Sequence, residues 1–155
     1  MSVRSFVPVR DAVILAAGNG DRFKDAHHHS KLLHPVLGQP LILRTLQSAA
    51  DAGISRFIII LGYEADRVRD VITAHPVPGT TVCFVYNAAW QLENGVSALC
   101  ARAVCAVDRF ALLMADHLFD PAVLRRLTRV SADDRDCLLA IDDRSCSPTT
   151  AAEAT

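Results

Sequence analysis

An apolar run at Ala12–Ala16 is followed at once by Ala17-Gly18-Asn19-Gly20-Asp21-Arg22. The two glycines let the chain turn sharply and let backbone N–H groups approach an anion with no Cβ in the way. Arg22 adds a planar charged fork suited to phosphate oxygens. Lys31 stands further along the same segment, so an ordered loop could bring both cations to one triphosphate. A second apolar run, Phe110–Ala115, ends in Asp116, and a carboxylate there is placed to hold Mg²⁺ on a triphosphate. Between them lies Asn94-Gly95-Val96-Ser97. Asn94 can hydrogen-bond a base edge, Gly95 permits close approach, and Ser97 either caps a helix or touches nucleotide. Asn87 is either a further nucleotide contact or a turn residue at a strand end. Taken singly these residues also read as a tight turn, a solvated lysine and a turn-capping aspartate; the composite motif, and the place of Asp116 beside the phosphate loop, favour the binding reading.

Two familiar phosphate loops fail on the residues. A dinucleotide fingerprint needs a small residue at position 23, where Phe23 stands, and a P-loop needs G-K-[S/T] after its first glycine. The next helix is expected only near Pro40, leaving a loop of roughly twenty residues, a length that is more often functional than not. His27-His28-His29 within it reads as a solvated loop tip, since zinc sites draw their ligands from separate segments.

The elements that must position these groups follow from periodicity. Continuous apolar runs predict strands at Ala12–Ala16, Arg56–Leu61, Thr81–Tyr86, Phe110–Ala115 and Cys137–Ile141. Helices are expected at Pro40–Ala52, Glu64–Ala74, Ser97–Val107 and Pro121–Val130. Strand–helix alternation with unbroken apolar strands predicts an α/β fold, a doubly wound, mainly parallel Rossmann-like sheet flanked by helices. Ligands in such sheets bind outside the carboxyl ends of the strands, where the residues above fall.

Taken together, L-A-A-G-x-G-x-R, a variable stretch, then K-x-L-x-x-V-x-G-x-P-L resembles the signature of the sugar- and alcohol-phosphate nucleotidyltransferases (the MobA-like NTP transferases). Leu15, Ala16, Ala17, Gly18, Gly20, Arg22, Lys31, Leu33, Val36, Gly38, Pro40 and Leu41 match it; Ser30 departs from the proline many members carry. Gly62-Tyr63 resembles a G-Y or G-H segment of that family. Asn94-Gly95-x-Ser97 and Met114-x-Asp116-His117 resemble the inositol-1-phosphate cytidylyltransferase branch. The resemblance implies that Leu15–Gly20, Arg22, Lys31, Asn87, Asn94, Gly95 and Ser97 bind nucleotide, with Arg22 and Lys31 catalytic. It implies that Asp116 coordinates Mg²⁺, and that a cytidylyl group passes from CTP to a phosphorylated sugar, polyol or alcohol. Uridylyl or guanylyl transfer on the same fold is the enzymatic alternative, and nucleotide binding without catalysis the other.

The chain has 155 residues, 51% apolar and 21% charged, which fits one domain with a single core. Its 16 Lys+Arg nearly balance 17 Asp+Glu, giving a formal charge of −1 and no basic footprint for nucleic acid. No apolar stretch approaches the ~20 residues of a membrane span. Five cysteines without a CxxC pair or secretion signal read as reduced thiols in the cytoplasm, and Cys100 and Cys105 as core packing. The domain is expected over 1–141, incomplete at its C-terminal side, with 142–155 a loop or disordered tail and oligomerisation possible.

Overall fold

The computed structural model describes residues 8–20, 30–130 and 137–140. Its main sheet is four parallel strands in the order β5-β4-β1-β6. They are β1 (Asp11–Ala16), β4 (Arg56–Leu61), β5 (Thr81–Tyr86) and β6 (Ala111–Met114). A two-residue hairpin, β2 (Pro35–Val36) with β3 (Gln39–Pro40), stands apart from it. The helices are α1 (Leu41–Asp51), α2 (Ala65–Ala74), α3 (Asn94–Cys100) and α4 (Pro121–Leu127). Among the described residues no helix is long and apolar enough to cross a membrane.

β1 and β4 are the central strands, and each buries five of its six residues, which is why both read as unbroken apolar runs. Alternate side chains supply two cores. Ile14, Phe57 and Ile59 pack under Ile42, Leu46 and Ala49 of α1, Val68 and Ile72 of α2, and Leu124 of α4. Val13, Leu15, Ile58 and Ile60 pack under α3 and the 3₁₀ turn Ala101–Ala103, with Cys83, Cys100 and Cys105 half-buried around them.

The chain steps outward from β1 through β4 to β5, then returns to the other side of β1 as β6. The strand order therefore reverses between β1 and β6, the place where parallel sheets open a crevice.

Several boundaries differ from the expectation. Pro40 pairs with Pro35 in the hairpin and precedes the first helical residue, because Leu37 and Gly38 both take positive φ (50° and 80°) and fold the chain back. Arg44 of α1 holds that turn, its guanidinium donating to the carbonyls of Val36 and Leu37 at 2.5 and 2.9 Å. α3 begins at Asn94 and tightens into 3₁₀ geometry at Ala101, short of Val107. The strand expected at Cys137–Ile141 does not form over 137–140, where Leu139 is 77% exposed and no ladder is made; Ile141 lies outside the described residues. Four apolar residues suffice for the pattern of a strand but not for a partner.

Candidate functional site

Three segments converge at the β1/β6 crevice: the turn after β1, the Lys31–Leu33 3₁₀ turn, and the end of β6. Gly20 has φ +66°, and a Cβ there would lie 3.1 Å from Lys31 Cβ, so the loop needs glycine both for its turn and to let Lys31 approach. Ser30 begins the 3₁₀ turn, its hydroxyl accepting from Leu32 N–H, while its own N–H donates to Glu64 Oε2 at 2.5 Å. Glu64 sits at the mouth of α2 with φ 48° and also receives Arg67 at 2.5 Å. That left-handed backbone costs about 1 kcal/mol and is held by these charged contacts.

On the β6 side, Ala115 N–H donates to Leu15 O at 3.1 Å, and the buried Thr45 hydroxyl donates to Ala115 O at 2.9 Å. Helix α1 is thus bolted to the strand end that carries Asp116. Lys31 Nζ donates to Asp116 Oδ2 at 2.9 Å, and His117 Nε2 lies 3.8 Å from Oδ1. Burial acts to raise the Asp116 pKa, but the hydrogen bond and charge of Lys31, with a smaller contribution from His117, outweigh it and hold the carboxyl below its ordinary value.

These groups line a cleft of about 320 Å³ floored by Leu15, Leu32 and Met114. Leu15 through Gly20, Lys31, Asn94, Ser97 and Asp116, all expected at the site, border it. Asn87 and Gly95 do not. Asn87 is 3% exposed and spends its side chain on structure, Nδ2 donating to Ser97 Oγ at 3.0 Å and Oδ1 accepting from Ala89 N–H at 2.9 Å. Ser97 is not the helix cap but lies within α3, 3% exposed, because Glu93 already occupies the cap position. No described atom lies within 4 Å of a Cβ built at Gly95, so packing does not require glycine there. Arg22 and His27–His29 lie outside the described residues.

The sequence reading passed over Trp90, Gln91 and Leu92, which also line the cleft. A signal was present in Gly62. A Cβ there would collide with Trp90 Cβ and come within 2.7 Å of Ala17 O, so the glycine is a steric window rather than a flexible joint.

Among the described residues no group of three His, Cys, Asp or Glu side chains could hold a metal unaided. The partly exposed Asp116 carboxylate could give a divalent cation one oxygen ligand, of the kind Mg²⁺ takes beside water and phosphate oxygens.

The family of the MobA-like NTP transferase domain matches residues 12–154. CMP-5'-(3-aminopropyl)phosphonate synthase of Streptomyces rubellomurinus is 36% identical over 123 residues, 78% of this chain and 19% of that protein. The bifunctional protein GlmU of an Exiguobacterium species is 44% identical over 105 residues, 68% of this chain and 21% of that protein. The chain thus spans about a fifth of the length of these relatives. The inositol-1-phosphate CTP transferase of T. maritima shares the fold, with a TM-score of 0.71 at 24% identity over 83% of this chain and 52% of that one. Rv0371C of Mycobacterium tuberculosis, solved as a manganese complex, gives 0.53 at 29% identity over 78% and 58%.

Proposed function

The chain belongs to the MobA-like NTP transferase family, and from that premise we propose that its cleft binds CTP with Mg²⁺ and serves cytidylyl transfer to the phosphate of a sugar, polyol or alcohol. The observation that carries this is the meeting of Lys31 and Asp116 beside the glycine turn, at the one crevice where strand order reverses. It puts an ammonium and a carboxylate within one triphosphate's reach.

The acceptor's phosphate monoester is already largely dianionic at neutral pH, its second pKa being ~6, so no general base is required of the protein. An acceptor oxygen forms a bond to the α-phosphorus as the bond to the bridging oxygen of the β-phosphate breaks, and pyrophosphate leaves. Lys31 moves from Asp116 onto the phosphates, and the backbone N–H groups at Gly18–Gly20 hold them in line. Asp116 would then be the carboxylate that holds a divalent cation, which would supply charge neutralisation of the leaving group. Arg22 takes a second phosphate contact on the strength of the motif it completes.

The choice of CTP is supported by the Asn94–Ser97 segment and by the relative whose name contains CMP. A uridylyl reading is favoured by Leu33-His34-Pro35-Val36, which resembles the N-acetylglucosamine-1-phosphate uridylyltransferases. Thermal unfolding with Mg²⁺ and each of CTP, UTP, GTP and ATP separates them. A ligand at 100 times its Kd adds ~2.7 kcal/mol, a shift of several degrees in a domain of this size. CTP should give the largest rise. A larger rise with UTP would move the assignment to uridylyl transfer, and no rise with any nucleotide would end it. Pyrophosphate release then distinguishes a transferase from a protein that only binds.

A further inference from the structure

We propose that Trp90 is the surface on which the nucleotide's base stacks, with Gly62 and Tyr63 as the residues that position it. The inference rests on the nucleotide reading above. Trp90 is the single tryptophan of the chain and the only aromatic among the described residues lining the cleft. It is half-buried, so part of the indole faces the cleft and part is packed.

The packed side is built for it. The absence of a side chain at Gly62 is what lets Trp90 lie against Ala17, the first residue of the glycine turn. Tyr63 N–H donates to Ala17 O at 2.9 Å, which fixes the backbone beside that window. The Tyr63 ring then meets the indole at 5.4 Å and 57°, a tilted contact that holds the ring's orientation.

Placement supports the role. Trp90 follows β5 and Asp116 follows β6, the two outer strands of the sheet. The Trp90 side chain lies back over the ends of β4 and β1, at the Gly62–Ala17 window, so the cleft runs from an aromatic surface there to the proposed cation-binding carboxylate at the β6 end. A nucleoside triphosphate has the same polarity, with an apolar base at one end and phosphates at the other. Stacking is tolerant of base identity, because every base has a π-face. Trp90 therefore supplies affinity, and base choice falls to polar neighbours such as Gln91 and Asn94.

Because no other tryptophan contributes, the fluorescence of the intact chain reports on this residue alone. Titration with Mg²⁺ and CTP should quench it, whereas Mg²⁺ with inorganic tripolyphosphate, which has no base, should bind without quenching. By calorimetry, Trp90→Ala should weaken CTP roughly 5- to 150-fold, the range of one lost base stack, and leave tripolyphosphate affinity within about twofold. Trp90→Phe, which keeps an aromatic wall, should retain most CTP affinity. Unchanged CTP affinity in Trp90→Ala, or an equal loss for tripolyphosphate, overturns the inference while the nucleotide reading stands. If wild-type protein binds neither ligand, the nucleotide reading falls and takes the inference with it.

Discussion

The Lys31 ammonium and the Asp116 carboxylate lie 2.9 Å apart although 85 positions separate them in the chain. The two groups proposed to neutralise a metal–triphosphate thus neutralise each other before one arrives. The pairing compensates both charges beside the apolar cleft floor, and it makes ligand binding an exchange of partners.

Exchange predicts a binding order. With Asp116 Oδ2 already accepting from Lys31, Mn²⁺ alone should bind wild-type protein weakly, and adding CTP should strengthen it. Lys31→Met should bind Mn²⁺ alone more tightly than wild type, by several-fold, while binding CTP at least tenfold more weakly. Mn²⁺ electron paramagnetic resonance and calorimetry read both quantities. Metal affinity indifferent to Lys31 would remove the exchange.

Acid should weaken the same pair. Folding lowers the Asp116 pKa from its ordinary value of about 3.9, so the carboxylate contributes stability that is fully present above that value and lost as pH falls through the lower, folded-state pKa. The contribution is modest, since the two side chains are 36% and 30% exposed. Urea unfolding of wild type and Asp116→Asn should show a stability gap at pH 7 that narrows on acidification below pH 4. A gap that widens instead would show that another group sets it.

Thr45 tests the frame behind the site. Thr45→Val keeps the side-chain shape but leaves the Ala115 carbonyl without its 2.9 Å donor, next to Asp116. The expected cost is about 1–2 kcal/mol of stability, with a larger fractional loss of turnover than of CTP affinity. Full activity would mean that β6 holds Asp116 without α1.

The two informative glycines should fail differently. Gly62→Ala meets backbone at Ala17 O as well as Trp90, so it should destabilise the fold by about 1–3 kcal/mol in chemical unfolding. Gly20→Ala meets Lys31, most closely at its Cβ (3.1 Å), at a positive φ, and should chiefly weaken nucleotide binding. Equal effects on stability would contradict this division.

Glu64 offers a third kind of test. Its Oε2 accepts the Ser30 N–H that starts the Lys31 turn, so Glu64→Gln should weaken CTP binding several-fold with only a small change in unfolding midpoint. A variant that binds CTP like wild type would show that the turn holds itself.

What the sequence determined was local. The unbroken apolar runs of β1 and β4 specified central parallel strands, because a strand covered on both faces has no polar side to display. The amphipathic spacing of Leu41, Leu46 and Ala49 specified α1, and Gly18–Gly20 specified the turn. Motif spacing brought Lys31 and Asp116 under suspicion separately. Tertiary structure decided what periodicity does not encode. Strand order, set by the return of β6 to the far side of β1, is what joins Lys31 to Asp116. Packing turned Asn87 into the support of Ser97, and moved Ser97 from helix cap to helix interior. The Pro35–Pro40 hairpin, two residues per strand, is too short to show a period of two and exists because Leu37 and Gly38 reverse the chain under Arg44. At 137–140 the apolar pattern met no partner strand among the described residues, and a strand is defined by the neighbour it bonds to as much as by its own residues.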